Sequence, residues 1–255
     1  MKKVLVTGAN GQLGQCLQKI APSYKELNFI FKSSKELDIT DILGIEEAFV
    51  KGNFNYCINC AAYTNVEQAE KTPDIAYKVN AEGVKNLANV CKSYKTTLIH
   101  ISTDYVFDGE KDEPYTVKDV PNPINEYGKS KLLGEKHIQE IMDNYCIIRT
   151  SWLYNKTYGN NFYRTILKKA QKGEILHITN KEKGCPTNTV NLSKFVLDLI
   201  VKEYDEDKIH HYTDGEVMTW FSFAKRIIKE RKLNSVIIPK DYKTKVARPR
   251  NSVLN

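Results

Sequence analysis

A tyrosine and a lysine that stand four residues apart, Tyr127 and Lys131, are the residues of this sequence best suited to proton transfer. On a helix, residues four apart lie on the same face, so the Lys131 ammonium can lie beside the Tyr127 phenol. A neighbouring cation favours the ionised form of a phenol and lowers its pKa. An ordinary tyrosine, with a pKa of about 10, is a poor proton relay at neutral pH, so the spacing predicts an activated tyrosine.

The pair alone is a weak signal, because a chain with 15 tyrosines and 38 Lys plus Arg residues produces such spacings by chance on solvated helix faces. A glycine-rich segment near the N-terminus supplies its context: Gly8, Gly11 and Gly14 follow a β-branched run and open a stretch with helical apolar spacing. Strand, tight turn and helix form the setting of a dinucleotide site, where the pyrophosphate approaches bare backbone. We therefore expect Gly8, Gly11, Gln12, Leu13 and Gly14 to bind a dinucleotide, although an ordinary α/β turn is the alternative.

A third group of polar residues follows a predicted strand in the middle of the chain. Residues 97–101 form an apolar run, and Ser102, Thr103 and Asp104 come directly after it. Because ligands of open α/β sheets bind at the carboxyl ends of strands, Thr103 or Ser102 is expected to hydrogen-bond a substrate carbonyl that Tyr127 protonates. A capped turn leaving the strand is the alternative interpretation. Together the three segments favour a nicotinamide-dependent reductase.

Strand and helix patterns alternate as far as residue 150. Predicted strands cover residues 3–6, 29–31, 56–59, 97–101 and 145–148, and predicted helices cover residues 12–20, 42–50, 73–94 and 125–143. This alternation predicts an α/β protein with a Rossmann-type, doubly wound parallel sheet. The later pattern is looser, with helices predicted at residues 160–172, 192–203 and 219–231 and a strand at 209–212. We expect residues 1–150 to bind the dinucleotide and residues 151–255 to form a smaller region that shares an extensive interface with them.

Composition argues against several other classes of protein. With 41% apolar residues and a net charge of +7 spread among acids, the chain fits a soluble enzyme and lacks the basic block typical of nucleic-acid binding. No apolar run approaches a membrane span and the N-terminus enters a strand at once, so the cytoplasm is the expected compartment. Six scattered cysteines fit reduced thiols, and the five histidines show no metal-ligand spacing, so no metal site is proposed.

Longer motifs give the sequence a family resemblance. The spacing Gly-x-x-Gly-x-x-Gly is typical of short-chain dehydrogenases/reductases. Beyond it the chain contains Asn59-Cys-Ala-Ala-Tyr-Thr64, Ser102-Thr-Asp-Tyr-Val-Phe-Asp-Gly109, Tyr127-Gly-Lys-Ser-Lys131-Leu-Leu-Gly-Glu135, Arg149-Thr-Ser-Trp-Leu-Tyr154, Gly159-Asn-Asn-Phe162, Gly184-Cys-Pro-Thr187 and Arg248-Pro-Arg-Asn-Ser252. In this order, and over nearly the whole chain, these motifs resemble those of the dTDP-4-dehydrorhamnose reductases, which are extended members of that superfamily.

The resemblance implies a reaction and the residues that perform it. The enzyme would transfer a hydride from NADPH to the C4 ketone of dTDP-4-dehydro-6-deoxy-L-mannose, giving dTDP-L-rhamnose for surface polysaccharides. Tyr127 would donate the proton to the C4 oxygen, and Thr103 would orient the carbonyl and tune the phenol. Lys131 would lower the pKa of Tyr127 and hydrogen-bond the nicotinamide ribose.

The end of the second predicted strand bears on the choice of cofactor. NAD sites place an Asp or Glu there for the ribose 2′-hydroxyl, and an acidic group repels the 2′-phosphate of NADP. Here Lys32 and Lys35 occupy the segment, which favours NADPH and leaves NADH possible. By resemblance, Asp38 and Ile39 lie beside the adenine. Also by resemblance, the turn after the third strand lines the cofactor with Ala61, Ala62 and Tyr63.

For the second region the resemblance implies contacts with the dTDP-sugar substrate. Trp152 is expected to contact the sugar or its base, Asn161 the ligand, and Arg248 the diphosphate, whose oxygens suit a guanidinium. With Thr103 and Asp104, these residues form the expected substrate site. Taken alone, the residues favour a core tryptophan, a capping asparagine and a solvated arginine.

The chain also differs from the family it resembles. Relatives commonly continue past Arg-Pro-x-Asn-Ser into a further helix, whereas this chain ends at Asn255, so a short member or a truncated chain is expected. Some members form a homodimer through a magnesium ion held by glutamates, one of which corresponds to Cys16 here. A homodimer is possible, but its metal-bridged form is not supported. As in extended relatives, segments near residues 191–212 are expected to return to the first domain.

Two alternative functions stay open from the sequence. One is another nucleotide-sugar reduction, epimerisation or dehydration on the same fold: Asp104 suits a dehydratase, whereas the Tyr105-Val-Phe that follows fits the reductase better. The other is a non-catalytic NADP-binding subunit, similar to the regulatory partner of methionine adenosyltransferase. Neither the stereochemistry of the sugar nor the base follows from the sequence.

Overall fold

The computed structural model describes residues 1–202, 207–240 and 245–255. Within them the strands are β1 (Lys2–Thr7), β2 (Leu27–Lys32), β3 (Tyr56–Asn59), β4 (Thr97–Thr103), β5 (Tyr145–Thr150), β6 (Leu153–Tyr154), β7 (Leu176–Ile178), β8 (Lys183–Gly184), β9 (Thr187–Asn188), β10 (Ile209–Tyr212), β11 (Met218–Thr219) and β12 (Ile237–Pro239). The helices are α1 (Gln12–Ile20), α2 (Ile42–Gly52), α3 (Val66–Lys71), α4 (Pro73–Tyr77), α5 (Gly83–Ser93), α6 (Glu126–Ile141), α7 (Phe162–Gln171), α8 (Thr189–Val201) and α9 (Trp220–Glu230). The end of the predicted helix at 192–203, and part of the predicted returning segment at 191–212, lie outside the described residues.

Six strands of the described chain form one parallel sheet in the order β10-β5-β4-β3-β1-β2. Its strands are apolar on both faces, because helices cover both sides. In β1, Leu5 packs in one core cluster while Val4 and Val6 pack in the other. Helices α2, α5 and α6 contribute to the first cluster, and α1 and α8 to the second. The predicted doubly wound parallel sheet is therefore confirmed.

A separate apolar cluster holds the C-terminal region together. It joins α7 to α9 through Tyr163, Ile166, Phe223, Ala224 and Ile227. Short strand pairs, β7 with β12 and β8 with β11, connect the segments around it. Between these elements the chain passes back to the first region, since α8 packs against α1 and β10 extends the sheet beside β5. The division of the chain at residue 150 stays a prediction.

The helix predicted at residues 73–94 is interrupted. It consists of α4, a π-helical turn at Lys78–Glu82, and α5. A π turn accommodates an extra residue and is frequent at functional sites. This turn carries Asn80, which is fully buried and whose side-chain amide donates to Tyr63 O at 2.9 Å and to Ser130 Oγ at 3.0 Å. The apolar spacing continues through the turn, so the pattern predicted one continuous helix.

All six cysteines are free thiols. Burial raises the pKa of the Cys60 thiol, which keeps it protonated and poorly nucleophilic at neutral pH. Cys16, the position that matches a metal-binding glutamate in some relatives, is buried in α1.

The ranges described above contain no group of three or more His, Cys, Asp or Glu side chains that could hold a metal ion. None of the helices in these ranges is long and apolar enough to cross a membrane.

Candidate active site

Close backbone contacts shape the glycine turn between β1 and α1. Gly8 has a φ of +65°, and a Cβ placed on it would lie 2.6 Å from the backbone nitrogen of Ala61. A Cβ on Gly14 would lie 2.5 Å from the Gly8 carbonyl oxygen. Helix α1 begins at Gln12 after Gly11, an N-cap residue without a side chain to bond the first amides. These amides and the helix dipole form a site for an anionic group such as a pyrophosphate.

Two cavities of about 380 and 410 Å³ follow this turn past the carboxyl ends of β1, β3 and β4. They share Asn10, Gly11, Cys60 and Ala62, so together they form one groove, called the glycine groove below. Of the predicted cofactor residues, it brings together Gly8, Gly11, Gln12, Leu13, Gly14, Asp38, Ile39, Ala61, Ala62, Tyr63, Tyr127 and Lys131. Asn10 and Ser34 also line it, and they were not predicted because no spacing marks a single polar residue in a turn.

The structure does not place Lys32 in the glycine groove, contrary to the prediction. Its side chain lines a separate cavity of about 360 Å³, together with Glu36, Glu47 and Lys51. Successive side chains leave a strand on opposite faces, and that of Lys32 is directed to the side covered by α2. Its carbonyl accepts a hydrogen bond from Ala9 N at 3.0 Å. Lys32 therefore supports the glycine turn through its backbone.

Tyr127 lies in the first turn of α6, where it lines the glycine groove. Asn125 caps this helix by accepting from Gly128 N at 2.8 Å, and Ser130 Oγ donates to the Tyr127 carbonyl at 2.8 Å. Thr103 ends β4, and a hydrogen bond joins its hydroxyl to the Tyr127 phenol. The structure thus brings together the predicted proton donor and the hydroxyl predicted to orient a carbonyl.

Lys131 follows one turn later on α6 and is 1% exposed. Its Nζ lies 3.0 Å from His100 Nε2 and donates to the Ile101 carbonyl at 2.8 Å. Burial lowers the pKa of Lys131 to about 8, although the Glu135 carboxylate and Cys60 act in the opposite direction. A large share of this lysine is therefore uncharged at the upper end of the physiological pH range.

The expected effect of Lys131 on Tyr127 is not seen. Burial raises the pKa of Tyr127 to about 12, the hydrogen bond with Thr103 acts in the opposite direction, and the Asp104 carboxylate raises the pKa. The prediction that Lys131 lowers this pKa is wrong for this arrangement of side chains, because burial dominates and the lysine nitrogen is bonded to its own partners. Tyr127 is therefore protonated at neutral pH.

Two buried polar residues behind the site were not predicted. His100 lies within β4, where its ring contacts Asn59 on one side and Lys131 on the other. Asn80, in the π turn, joins α6 to the turn of Tyr63, whose amide donates to Asn80 Oδ1 at 2.8 Å. For His100 the available signal was a polar residue between apolar neighbours, because such a residue needs a buried partner.

Asp104 follows Thr103 and is 3% exposed. Thr103 Oγ1 lies 3.1 Å from Asp104 Oδ1 and donates to it, and both Ser252 from the C-terminal segment and Thr103 lower the pKa of this carboxyl group. Burial outweighs these bonds and raises the pKa of Asp104 to about 7. This carboxyl group therefore gains or loses its proton near neutral pH.

A further cavity of about 290 Å³, called the aromatic pocket below, adjoins the site on the side of the C-terminal region. It is lined by Tyr105, Phe162, His177, Ile178, Thr179, Glu182, Trp220 and Arg248. Tyr105 connects it to Tyr127, since their ring centroids lie 5.9 Å apart. Aromatic faces beside an acid and an arginine are typical of a site for a planar or sugar ring that carries a charged group.

Trp220 and not Trp152 lines the aromatic pocket, so the direct substrate contact predicted for Trp152 is corrected. The two indoles stack with centroids 3.5 Å apart and planes 5° apart. Trp152 has a φ of +47°, and a Cβ on Gly184 would lie 2.5 Å from its Cε2 atom. Trp152 is therefore held between Gly184 and Trp220 and supports the pocket from behind.

Asn161 caps a helix beside the groove, and its predicted ligand contact stays a prediction. Its Oδ1 caps α7 by accepting from Arg164 N at 3.1 Å. Its Nδ2 donates to the Tyr158 carbonyl at 3.0 Å and to Gln12 Oε1 at 3.1 Å. The neighbouring Asn160 lines the groove. The capping interpretation of Asn161 therefore fits the structure.

Arg248 lies in the lining of the aromatic pocket, and its predicted contact with the diphosphate stays a prediction. Its Nη2 donates to Glu67 Oε1 at 2.7 Å, and its side chain is 23% exposed. The guanidinium is also bonded to Tyr105, the residue that connects the pocket to Tyr127. A phosphate that enters the pocket would compete with Glu67 for this arginine.

Comparison with known proteins gives consistent matches over the whole chain. A family model described as the RmlD substrate binding domain matches residues 1–255. A dTDP-4-dehydrorhamnose reductase of Aggregatibacter actinomycetemcomitans is 35% identical over 100% of this chain and 91% of its own, and the spore coat polysaccharide biosynthesis protein SpsK of Bacillus subtilis is 36% identical over 100% and 89%. A dTDP-4-dehydrorhamnose reductase from Bacillus anthracis, solved in complex with NADP, matches with a TM-score of 0.94 at 37% identity over 100% and 91%. A UDP-glucose 4-epimerase from Thermus thermophilus, at 18% identity and a TM-score of 0.84, shares the fold.

Proposed function

Because the chain belongs to the RmlD substrate-binding-domain family, we propose that it reduces the C4 ketone of dTDP-4-dehydro-6-deoxy-L-mannose with NADPH, forming dTDP-L-rhamnose. Relatives named for this reduction match the chain over its full length. The product serves sugar-nucleotide and surface polysaccharide biosynthesis, as the name of the Bacillus subtilis relative also suggests. These matches favour the reductase over an epimerase, a dehydratase or a non-catalytic subunit.

One observation carries the chemical part of the proposal. The hydroxyls of Thr103 and Tyr127 are hydrogen-bonded to each other beside the glycine groove. Tyr127 lines the groove, and its ring contacts Tyr105, which lines the pocket. We place the ketone oxygen beside Tyr127, where it would bond both hydroxyls, and the nucleotide in the aromatic pocket. This is the arrangement that a ketone reduction needs.

The groove fits a nicotinamide dinucleotide. Gly8 and Gly14 leave no space for a side chain where the backbone has to approach a pyrophosphate, and α1 presents its first amides there. Tyr127 and Lys131 line the end next to the aromatic pocket, and Asp38 lies with Ile39 at the other end. We assign the nicotinamide ribose to Lys131 and the adenine to Asp38 and Ile39. The relative solved with NADP favours NADPH over NADH.

When bound, NADPH supplies the hydride that reduces the ketone carbon. Tyr127 keeps its proton at neutral pH, so it is in the form that donates to the C4 oxygen as that oxygen gains negative charge. Thr103 bonds the phenol, and we assign its hydroxyl hydrogen to the ketone oxygen, which accepts it. A positioned proton donor of this kind contributes about 10²- to 10⁴-fold to the rate.

The substrate contacts follow from the lining of the aromatic pocket. Arg248 is assigned to the diphosphate, which displaces Glu67 from the guanidinium. Trp220 is assigned to the base or sugar face, with Trp152 stacked behind it. Asp104, beside Thr103, is assigned to the sugar hydroxyls nearest the reacting carbon.

The wider assignments complete this proposal. Residues 1–150 bind the cofactor and residues 151–255 mainly bind the substrate, with α8 and β10 returning to the first domain. We place the enzyme in the cytoplasm, where free thiols such as its six cysteines persist. A homodimer would not use the metal bridge of some relatives, because Cys16 replaces the glutamate. No nucleic-acid or membrane partner is assigned.

The test is turnover of dTDP-4-dehydrorhamnose with NADPH, with the product identified by NMR. In Tyr127→Phe we expect kcat to fall at least about 10²-fold with the Kd for NADPH little changed, because only the proton donor is lost. The matched control is Tyr105→Phe, which removes a hydroxyl that contacts Arg248 in the pocket. It should raise KM and leave kcat near its original value.

Other outcomes would contradict the proposal in distinguishable ways. Near-normal turnover in Tyr127→Phe would exclude this tyrosine as the donor. Tight NADPH binding without turnover of any dTDP-, UDP- or GDP-linked keto sugar would favour the non-catalytic subunit. Faster turnover of a UDP- or GDP-sugar would show that the protein is a reductase with a different substrate.

A further inference from the structure

Three buried side chains, Asn59, His100 and Lys131, form a hydrogen-bonded row behind the catalytic tyrosine. Asn59 Nδ2 lies 3.0 Å from His100 Nδ1, and His100 Nε2 lies 3.0 Å from Lys131 Nζ. Asn59 and Lys131 are each 1% exposed and His100 is fully buried. Since Asn59 and His100 are shielded from solvent and Lys131 borders it only at the glycine groove, each contact within the row needs one donor and one acceptor.

The orientation of the Asn59 amide is fixed by the backbone. Its Oδ1 accepts from Ala61 N at 3.1 Å and from Thr7 Oγ1 at 2.7 Å. A backbone N–H can only donate, so the atom that faces Ala61 has to be the oxygen. Asn59 therefore presents N–H to His100, and Nδ1 of that ring has to be the acceptor.

This orientation determines where His100 carries its proton. Burial and the neighbouring Lys131 hold the pKa of His100 well below its usual range, so the ring is neutral. A neutral imidazole has one N–H and one acceptor nitrogen. With Nδ1 accepting from Asn59, the proton is on Nε2, and Nε2–H points at Lys131 Nζ.

An ammonium group cannot accept that hydrogen bond, because it has no lone pair. An uncharged amine can: it accepts from His100 Nε2–H and donates to the Ile101 carbonyl at 2.8 Å. If Lys131 were charged, its N–H would face the Nε2–H of His100. With the His100 proton on Nδ1 instead, that N–H would face the N–H of Asn59. The row is fully satisfied only when Lys131 is neutral.

We propose that His100 is a positioning residue that binds the uncharged form of Lys131, and that protonation of Lys131 releases its nitrogen from His100 into the glycine groove that it shares with Tyr127. The lowered pKa of Lys131 makes both forms accessible near neutral pH. The groups around the lysine are His100 on β4, Glu135 and Tyr127 on α6, and Cys60 after β3. Of these, Glu135 is paired with Arg149 at 2.7 Å.

The proposal adds a proton step to the proposed function and rests on it for that step alone. The O–H bond of Tyr127 breaks as its proton goes to the C4 oxygen and the hydride from NADPH goes to C4. An N–H bond of protonated Lys131 then breaks, and its proton restores the phenol. The amine that is left accepts the N–H of His100, and solvent protons later recharge it. His100 itself neither gains nor loses a proton.

The test is NMR of the protein without ligands, labelled with ¹⁵N in histidine and ¹³C at the lysine ε-carbon. We expect His100 to be neutral with its proton on Nε2 between about pH 6 and pH 10. The resonance of Lys131 should titrate below that of ordinary lysines. A ring that carries its proton on Nδ1, or on both nitrogens, at neutral pH would overturn the proposal, and this measurement requires no substitution.

Two variants sharpen the test. His100→Gln offers an oxygen that can accept from an ammonium, so the pKa of Lys131 should rise by about one unit, the scale of a hydrogen bond to a charged group. Asn59→Asp replaces the donor by an acceptor and should move the His100 proton to Nδ1. Asn80→Asp, a buried change whose partners are Tyr63 and Ser130, should leave that proton on Nε2.

Further outcomes separate this inference from the proposed function. An unchanged Lys131 pKa in His100→Gln would overturn the inference even if the enzyme reduces its sugar. The expected tautomer in a protein that reduces no sugar would support the hydrogen-bonded row and contradict the proton step. In an active enzyme, His100→Gln should move the pH–rate profile in the same direction as the Lys131 pKa.

Discussion

The glycine groove and the aromatic pocket are built from different parts of the chain. In the groove, the glycine turn meets the backbone after β3, and a single methyl group at Gly8 would lie 2.6 Å from Ala61 N. In the pocket, long side chains such as Tyr105, Trp220 and Arg248 come from widely separated segments. A surface made of backbone adapts little and suits a ligand part shared by many enzymes. A surface made of side chains can change with the substrate while the sheet stays constant.

Thr103 and Asp104 directly precede Tyr105 of the pocket, and Thr103 bonds Tyr127 of the groove; burial shields the ionisable groups of Asp104 and Tyr127 from solvent. Tyr127 is protonated because burial raises its pKa, and Asp104 keeps its proton up to about pH 7. Burial therefore disfavours the ionised forms of Asp104 and Tyr127. The largest effect that we predict tests this for Asp104.

Asp104→Asn should make the protein less sensitive to pH. The pKa of Asp104 rises from 3.8 in the unfolded chain to about 7 in the folded one. Below about pH 4 both states are protonated; between about pH 4 and pH 7 only the unfolded state ionises, so wild-type stability falls as pH rises. The stability of Asp104→Asn relative to wild type should therefore increase by up to about 4 kcal/mol across this window, measured by urea unfolding. A difference that does not change with pH would mean that Asp104 titrates normally.

The second prediction concerns the rigidity of the groove. Gly8→Ala should cost about 2–4 kcal/mol of stability, because it combines a left-handed backbone with a methyl group too close to Ala61. Gly173→Ala is the matched control: its φ is +73°, but nothing lies within 4 Å of the added Cβ. It should lose about 1 kcal/mol, the strain alone, and keep its NADPH affinity. Equal losses in the two variants would show that the groove is less tightly packed than described.

The difference between the glycine groove and the aromatic pocket also explains how much of the structure could be predicted from the sequence. The groove residues were found because a strand, a glycine spacing and a helix are adjacent in sequence and fix the backbone locally. Lys32 was assigned to the wrong side because the direction in which a side chain leaves the end of a strand depends on register. His100 was missed because its role depends on Asn59 and Lys131, which the fold brings to it from two other elements.

The aromatic pocket was harder to predict for a related reason. A motif identified Trp152, but the indole that lines the pocket belongs to Trp220, and only the packing of α9 against the segment after β5 brings them together. An asparagine suits both a helix cap and a ligand contact, so the sequence does not distinguish the two roles. In the structure Asn161 caps α7, which begins directly after it. Arg248 lines the pocket, but its contact with the diphosphate stays a prediction.

The third prediction tests whether the pocket binds through the outer indole. Trp220→Ala should weaken binding of dTDP-rhamnose by about 1–2 kcal/mol, the scale of one stacked ring, and leave the Kd for NADPH unchanged. Trp152→Phe keeps an aromatic ring behind Trp220 and should lose less than Trp220→Ala. Isothermal titration with each ligand separates the two sites. A larger loss of dTDP-rhamnose affinity in Trp152→Phe than in Trp220→Ala would show that Trp152 makes the direct contact.

The smallest effect distinguishes the two residues near the end of β2. Lys32 lines the cavity beside α2, so Lys32→Ala should change the Kd for NADPH and for NADH by less than about 0.5 kcal/mol each. Ser34 lines the glycine groove, so Ser34→Asp should weaken NADPH by about 1 kcal/mol more than NADH, because a carboxylate at close range repels the 2′-phosphate. The difference should shrink as added salt screens the charges, whereas a steric loss would not. If Lys32→Ala selectively weakens NADPH, the lysine turns into the groove when the cofactor binds, and the backbone-built groove then also depends on a mobile side chain.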